Sequence, residues 1–256
     1  MGLLEGKVVL ITGASMGIGA ATARAAAKDG ATVITCARNE AKGQAVIDAI
    51  KADGGTGRFI RADISSDAEL DNLFAQILAE HGRLDGAVNN AAMESPLTTT
   101  PDVKMADFDA VMATNLRGTF YCLRAETRIM RDQKSGSIVN VTSVAGVDGI
   151  DGSVAYVASK HAIVGMTKSA AMDMGKFGVR VNNLAPGATR TEMMAEHLSQ
   201  FPDAMTILLK KIPLNRVASP DETADSIVWL LSDRSSYVTG QTILVDGGMM
   251  AGRMYV

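Results

Sequence analysis

The chain of 256 residues predicts a doubly wound α/β fold, a parallel sheet with helices on both faces. Three observations carry that prediction. Short runs rich in Val, Ile and Leu alternate with helix-length segments along the whole chain. The runs are mostly apolar at successive positions rather than at alternate ones, as strands covered on both faces should be. The first run also passes directly into a glycine-rich turn followed by an Ala-rich segment.

Taken in order, seven strand-like runs cover 7–12, 32–36, 57–62, 86–89, 136–141, 180–185 and 241–245. Helical segments cover 17–29, 39–52, 67–81, 103–132, 154–176 and 221–232. In the third of these, Leu70, Leu73, Phe74, Ile77 and Leu78 recur at helical spacing. Strands separated by helices of this length join by right-handed crossovers. No repeat, low-complexity tract or linker interrupts the rhythm, so 1–256 reads as a single domain.

Composition narrows the function. A net charge of −3 and a pI near 5.7, with Lys and Arg scattered, offer no basic footprint for nucleic acid. MGLLEGKVVLITG has no charged region ahead of an apolar core, and its Val-Val-Leu-Ile run is too short to span a bilayer. A cytoplasmic protein without membrane or nucleic-acid partners is the expectation. Cys36 and Cys122 lie far apart and outside any CxxC, which suggests neither a disulfide framework nor a zinc site. His81, His161 and His197 fall in different segments without ligand spacing, so no metal is expected.

The strand KVVLIT runs into Gly13-Ala14-Ser15-Met16-Gly17-Ile18-Gly19. Glycines there allow a sharp turn and present backbone N–H groups at a helix N-terminus, a place for a pyrophosphate. The spacing is not GxGxxG, and a glycine-rich turn without a ligand is the competing reading. Further on, VAYVASK puts Tyr156 and Lys160 four residues apart on one helical face. An ammonium beside the phenol favours its ionised form and would bring a group titrating near ~10 closer to neutrality.

These stretches do not stand alone. TGASMGIG resembles the TGxxxGxG fingerprint of the short-chain dehydrogenase/reductase family, and Asn89-Asn90-Ala91, Asn115, Ser143, Tyr156 with Lys160, and Pro186-Gly187 follow in the family's order. Ser143 precedes Tyr156 by 13 residues, as in that family, and the likeness runs from Lys7 to Gly248. The resemblance implies a Rossmann-like fold and hydride transfer at nicotinamide C4, with Tyr156 as acid or base. It implies that Lys160 holds the nicotinamide ribose and that Asn115 acts through water behind Lys160. Satisfying backbone groups at a helix distortion is the other reading of Asn115, and Ser143 either holds the substrate oxygen or caps a turn. Asn115, Ser143, Tyr156 and Lys160 form the expected catalytic set.

The expected cofactor contacts are Gly13, Ser15, Met16, Gly17, Ile18, Gly19, Arg38, Asp63, Ile64, Asn89, Ala91, Pro186, Gly187, Thr189 and Thr191, with Tyr156 and Lys160. Asp63-Ile64 match the family's adenine-edge pair, with a plain strand-end Asp as the competing reading, and Thr191 matches its contact on the nicotinamide side; for Asn89 a purely structural role at the end of the fourth strand is the equal alternative. At the end of the second strand small Ala37 stands where NAD enzymes of this kind carry an acid, and Arg38 suits a 2′-phosphate. Met16 holds a position where many NADP enzymes of the family carry a cation. NADP(H) is favoured, with NAD(H) as the alternative.

For the substrate, 189–211 resembles a lid, with Met193, Met194, Leu198, Phe201, Met205, Ile207 and Leu208 as its apolar face or as a plain core stripe. The loop 144–154 borders the same space, and Met249 and Met250 reach toward it. Ala92 replaces the glycine of the family's NNAG, which would narrow the cleft or shift the loop. The loop 144–154 holds no Arg or Lys, and Glu94 would discourage anions, so a neutral ketone or alcohol is expected beside Ser143 and Tyr156. The alternatives are a 3-oxoacyl-thioester reductase of lipid synthesis and a silent dinucleotide-sensing scaffold. Segments 103–132 and 154–176 resemble helices of the family's dimer interface and 243–256 its second interface, which implies a homotetramer.

Overall fold

The computed structural model describes residues 2–199 and 203–252. Its strands are β1 (Val8–Thr12), β2 (Thr32–Ala37), β3 (Thr56–Arg61), β4 (Gly86–Asn89), β5 (Gly136–Val141), β6 (Val179–Pro186) and β7 (Thr242–Val245). They form one sheet in the order β3-β2-β1-β4-β5-β6-β7, and every neighbouring pair is parallel. All seven expected runs become strands. The chain leaves β1 toward β2 on one side and later returns to β4 on the other, so the carboxyl ends of β1 and β4 diverge and open a crevice.

The helices are α1 (Gly17–Lys28), α2 (Glu40–Ala52), α3 (Asp67–His81), α4 (Met105–Val111), α5 (Thr119–Gln133), α6 (Val154–Met174), α7 (Glu192–Ser199), α8 (Ala204–Leu209) and α9 (Pro220–Leu231). Their starts are written in side chains. Asn39 accepts from the Lys42 N–H at 3.0 Å to open α2. Ser219 and Glu222 exchange bonds across the first turn of α9 with Pro220 inside it. Alternate β1 residues feed two cores. Val9 and Ile11 pack with the alanines of α1, Ile47 and Ile50 of α2 and Ile227 of α9. Val8 and Leu10 pack with Leu70, Leu73 and Ile77 of α3, Cys122 of α5 and Met174 of α6.

The single helix expected over 103–132 is a correction. It divides into α4, a π-helical stretch at Met112–Gly118, and α5. Asn115 sits in that stretch, fully buried. Widened turns of this kind re-aim a side chain without ending the helix, and the apolar period alone does not register the extra residue. Among the described residues, no helix is long and apolar enough to cross a membrane.

Candidate active site

A cleft of about 550 Å³ opens at the carboxyl ends of the strands. Gly13, Ser15, Met16, Gly17 and Ile18 line it from the turn after β1, Arg38 from the end of β2, Asp63 and Ile64 from the end of β3. Ala91, Ser143, Tyr156, Lys160, Pro186, Gly187, Thr189 and Thr191 complete most of the expected set. Gly19, Asn89 and Asn115 do not line it.

The phosphate-sized end follows from backbone chemistry. Gly13 has φ 65°, and a Cβ there would lie 2.7 Å from the Ala91 Cα, so only glycine fits. A Cβ on Gly19 would meet Asn90 Nδ2 at 2.5 Å, so close packing also requires glycine there. Asn90 itself ties the two turns together. Its Nδ2 donates to the carbonyls of Thr12 at 3.0 Å and Gly13 at 3.1 Å, while Thr12 Oγ1 accepts from the Asn90 and Ala91 N–H groups. No side chain caps α1 at Met16, so its first N–H groups are available to an anion. These features fit a dinucleotide pyrophosphate.

Tyr156 and Lys160 project from the first turns of α6, with Lys160 Nζ 5.5 Å from the Tyr156 ring centre. Lys160 is buried and donates from Nζ to the Val141 carbonyl at 3.0 Å. Burial brings its ammonium down to about 8. The phenol departs from the sequence expectation. Burial pushes Tyr156 up to about 12, a hydrogen bond from Ser143 opposes the rise, and the Glu94 charge adds to it. By surface area Tyr156 is only partly buried, yet protein atoms surround it densely, and the latter governs the cost of a phenolate in this cleft. Ser143 takes the expected turn-cap role, its Oγ accepting from the Ala145 N–H at 3.1 Å, and it also bonds the Tyr156 phenol.

Asn115 lies behind this group. Its amide bonds the Met93 backbone twice and donates to Ser159 Oγ at 3.2 Å, and Ser159 in turn donates to the Tyr156 carbonyl at 2.7 Å. The structure thus gives Asn115 the backbone-satisfying place at a helix distortion.

Asn89 is a second correction. Its Nδ2 donates to Glu126 Oε2 and Asn140 Oδ1, both at 2.9 Å, inside the protein. Asn140 continues to Thr167, and Thr167 to Asn183, each at 2.8 Å. Glu126, fully buried, is pushed by desolvation to about 8. A polar chain therefore crosses the sheet beneath the cleft, and Asn89 turns into it because the alternate side of β4 faces α5. The signal for it was a lone Glu at a core-facing position of α5.

At the far end Arg38 and Lys42 line the cleft beside buried Ala37. Lys42 was not expected from the sequence; it faces the cleft because α2 begins at Glu40. Burial alone would raise the Asp63 carboxyl, but bonds from Ser65 N–H and Oγ at 2.9 and 2.7 Å, with the charges of Arg38 and Arg61, hold it below the ordinary value.

The opposite end is apolar. Val144 and Ile150 border it, with Met193, Met194 and Leu208 from the segment 189–211 and Met249 from beyond β7. Met250 does not line the cleft, Phe201 lies outside the described residues, and so does the Leu198 side chain. Ala92 takes an ordinary backbone conformation, since among the described residues only Lys134 and Asn215 combine a side chain with positive φ. The expected displacement at this position is not required. Glu94 stands at the same end, exposed at the cleft mouth.

Comparison with known proteins agrees with this geometry. Residues 13–250 match a family model described as enoyl-(acyl carrier protein) reductase. The chain is 41% identical over 251 residues to an A-factor type gamma-butyrolactone 1′-reductase of Streptomyces virginiae, covering 96% of each chain. It is 41% identical over 249 residues to a 2,5-dichloro-2,5-cyclohexadiene-1,4-diol dehydrogenase of Sphingobium indicum, covering 97% of this chain and 98% of that one. The crystal structure of levodione reductase superposes with a TM-score of 0.94 at 35% identity, covering 98% of this chain and 100% of the other. A glycine-rich turn, a Tyr and Lys one helical turn apart, a Ser facing the Tyr, and relatives alike from end to end point the same way: the chain belongs to the short-chain dehydrogenase/reductase family of nicotinamide-dependent oxidoreductases.

Proposed function

We propose that this enzyme interconverts a neutral ketone and its secondary alcohol with NADP(H), and that Tyr156 moves the proton at the substrate oxygen. The observation that carries the reading is Tyr156, Ser143 and Lys160 converging on one cleft whose other half suits a dinucleotide. Bound there, the nicotinamide would supply or accept the hydride.

Gly13, Ser15, Met16, Gly17 and Ile18 would hold the pyrophosphate, Asp63 and Ile64 the adenine, and Pro186, Gly187, Thr189 and Thr191 the nicotinamide side. Ser143 would donate to the substrate oxygen. Tyr156 delivers its proton to that oxygen in reduction and takes it back in oxidation. Burial makes the phenol costly to ionise. Lys160, a cation one helical turn away, lowers that cost when it is released from Val141 toward the ring and a ribose.

NADP(H) is preferred over NAD(H) because Ala37 removes the usual acid and Arg38 and Lys42 bring two cations to the same place. Lys42 would make up for the cation that Met16 lacks. Residues 1–256 form one domain with 189–211 as its lid. Exposed Phe120 on α5 and Met172 on α6, 52% and 84% accessible, support burial against further copies in a homotetramer. A cytoplasmic setting suits the acidic composition and the cofactor.

Relatives named for a cyclic diol and for levodione favour small carbonyl compounds. The matched family description keeps an acyl thioester in view. Titration of the purified protein with NADPH and NADH, followed by absorbance assays on cyclic and open-chain ketones and an acetoacetyl thioester, tests the reading. Tighter NADPH binding with turnover of a simple ketone is expected. Turnover confined to the thioester would replace the substrate assignment, and binding without turnover in either direction would favour a sensing scaffold.

A further inference from the structure

The glycine-turn end of the cleft carries an acid. Glu192, the first residue of α7, lines the cleft there, and its Oε2 lies 3.7 Å from where a Cβ on Gly17 would be. Its neighbour Thr191 comes closer still to the same point, with Cγ2 at 3.2 Å.

The backbone ahead of Glu192 is fixed. The Arg190 N–H donates to the Ala218 carbonyl and the Ala218 N–H to the Ala188 carbonyl, both at 2.9 Å. Thr191 then starts α7, its Oγ1 accepting from the Met194 N–H at 3.2 Å and its carbonyl from the Ala195 N–H at 3.0 Å. The chain itself therefore delivers Glu192 to the glycine turn. Charge makes that position consequential. α1 has no acid in its first turn and no side-chain cap at Met16, so its first N–H groups and the positive end of its dipole favour an anion. A dinucleotide pyrophosphate brings two negative charges to that end, and Glu192 sets another beside them. Like charges so placed repel, and because Glu192 is exposed, salt screens the repulsion in part.

Resting on the dinucleotide reading above, we propose that Glu192 sets the affinity for the cofactor by repelling its pyrophosphate, a built-in weakening that keeps the dinucleotide exchangeable. The cofactor must leave after each hydride transfer, and release of this kind limits turnover in many enzymes. A carboxylate at the glycine turn favours that departure without touching the groups that carry the chemistry.

Calorimetric titration of the wild type, Glu192→Gln and Glu192→Ala with NADPH, NADH and adenosine 2′-monophosphate tests it. Both variants should bind NADPH and NADH about three- to tenfold more tightly at low ionic strength, by the same factor for each, because the pyrophosphate is common to both. The gain should shrink as salt rises. The rate constant for NADPH release, followed by stopped-flow fluorescence, should fall by a similar factor. Adenosine 2′-monophosphate, which has no pyrophosphate, should bind all three proteins alike. Unchanged or weaker dinucleotide binding in both variants overturns the inference, as does a gain in Glu192→Ala alone, which would report lost bulk rather than lost charge. A gain shared by adenosine 2′-monophosphate would report a cleft opened as a whole and overturns it too. Those results leave the proposed function standing, whereas failure of the wild type to bind either dinucleotide overturns both.

Discussion

Asn115 and Met93 are joined as if they were neighbouring strands: Asn115 Nδ2 donates to the Met93 carbonyl at 2.8 Å, and its Oδ1 accepts from the Met93 N–H, also at 2.8 Å. The π-helical stretch between α4 and α5 makes this possible by turning a buried Asn toward the loop after β4. That loop carries Ala91, Ala92 and Glu94 into the cleft. A helix defect in the second layer thereby fixes one wall of the site.

Asn115→Ala should therefore act on stability as well as turnover. It leaves two backbone groups of Met93 without their partner and removes one of the two bonds at the Ser159 hydroxyl, a loss of roughly 2–3 kcal/mol for buried groups. Urea unfolding of the variant should show a lower midpoint at an unchanged slope, alongside reduced kcat/KM. An unchanged midpoint would mean that water replaces the amide fully and that the residue acts only in the chemistry.

Tyr156→Phe removes the phenol oxygen and little else, because the ring and its neighbours stay. Turnover should fall by about 10²-fold or more, the usual scale for a lost general acid or base. NADPH affinity, read by fluorescence titration, should stay within about twofold, as expected when only an interaction of the transition state is removed. Substantial remaining activity would reassign the proton step to another group.

Much of this was legible in the sequence for a physical reason. Strands covered on both faces must be apolar runs, so the inner strands were visible in Val, Ile and Leu, while the edge strand β3 carries exposed Thr56, Arg58 and Arg61. Gly13 was visible because a positive φ against Ala91 admits no side chain. What stayed hidden depends on contacts between distant segments. Asn89 and Asn90 are adjacent and of one type, yet Asn89 joins Glu126 inside the core and Asn90 holds the glycine turn. Strand alternation decides which, and the family pattern does not. Lys42 was missed because its place on the cleft depends on where α2 starts relative to the end of β2. Pair spacing reports the charge beside Tyr156 and says nothing of the burial that pushes its phenol up.

Arg38→Ala and Lys42→Ala test the cofactor end. Each charge-assisted phosphate contact contributes about 1.5–3 kcal/mol when formed. Both side chains are exposed, so salt screens them and the lower end of that range applies. Each variant should bind NADPH about tenfold more weakly, and the double variant should lose more than either. NADH affinity should barely change, and the penalty should shrink as ionic strength rises. Equal losses for NADPH and NADH would point to a disturbed α2 rather than a phosphate contact.

Glu126 gives a prediction that depends on pH. Desolvation raises its carboxyl to about 8, against the lesser pull of the Asn89 bond. An unfolded Glu titrates near ~4.3, so between those values the folded protein holds a proton that the unfolded chain has released. The favourable contribution is complete below the unfolded value. It is lost progressively as pH rises, by up to about 1.4 kcal/mol per pH unit, until the folded carboxyl has also ionised above about 8. Glu126→Gln keeps an oxygen for Asn89 Nδ2 and abolishes the titration. Its stability relative to wild type should be near equal at pH 5 and clearly greater at pH 8.5, by a few kcal/mol on this order-of-magnitude reasoning. Urea unfolding of both proteins at pH 5, 7 and 8.5 checks it. Parallel curves for the two would show that Glu126 is ionised in the folded core across the range, with its charge stabilised by partners other than Asn89.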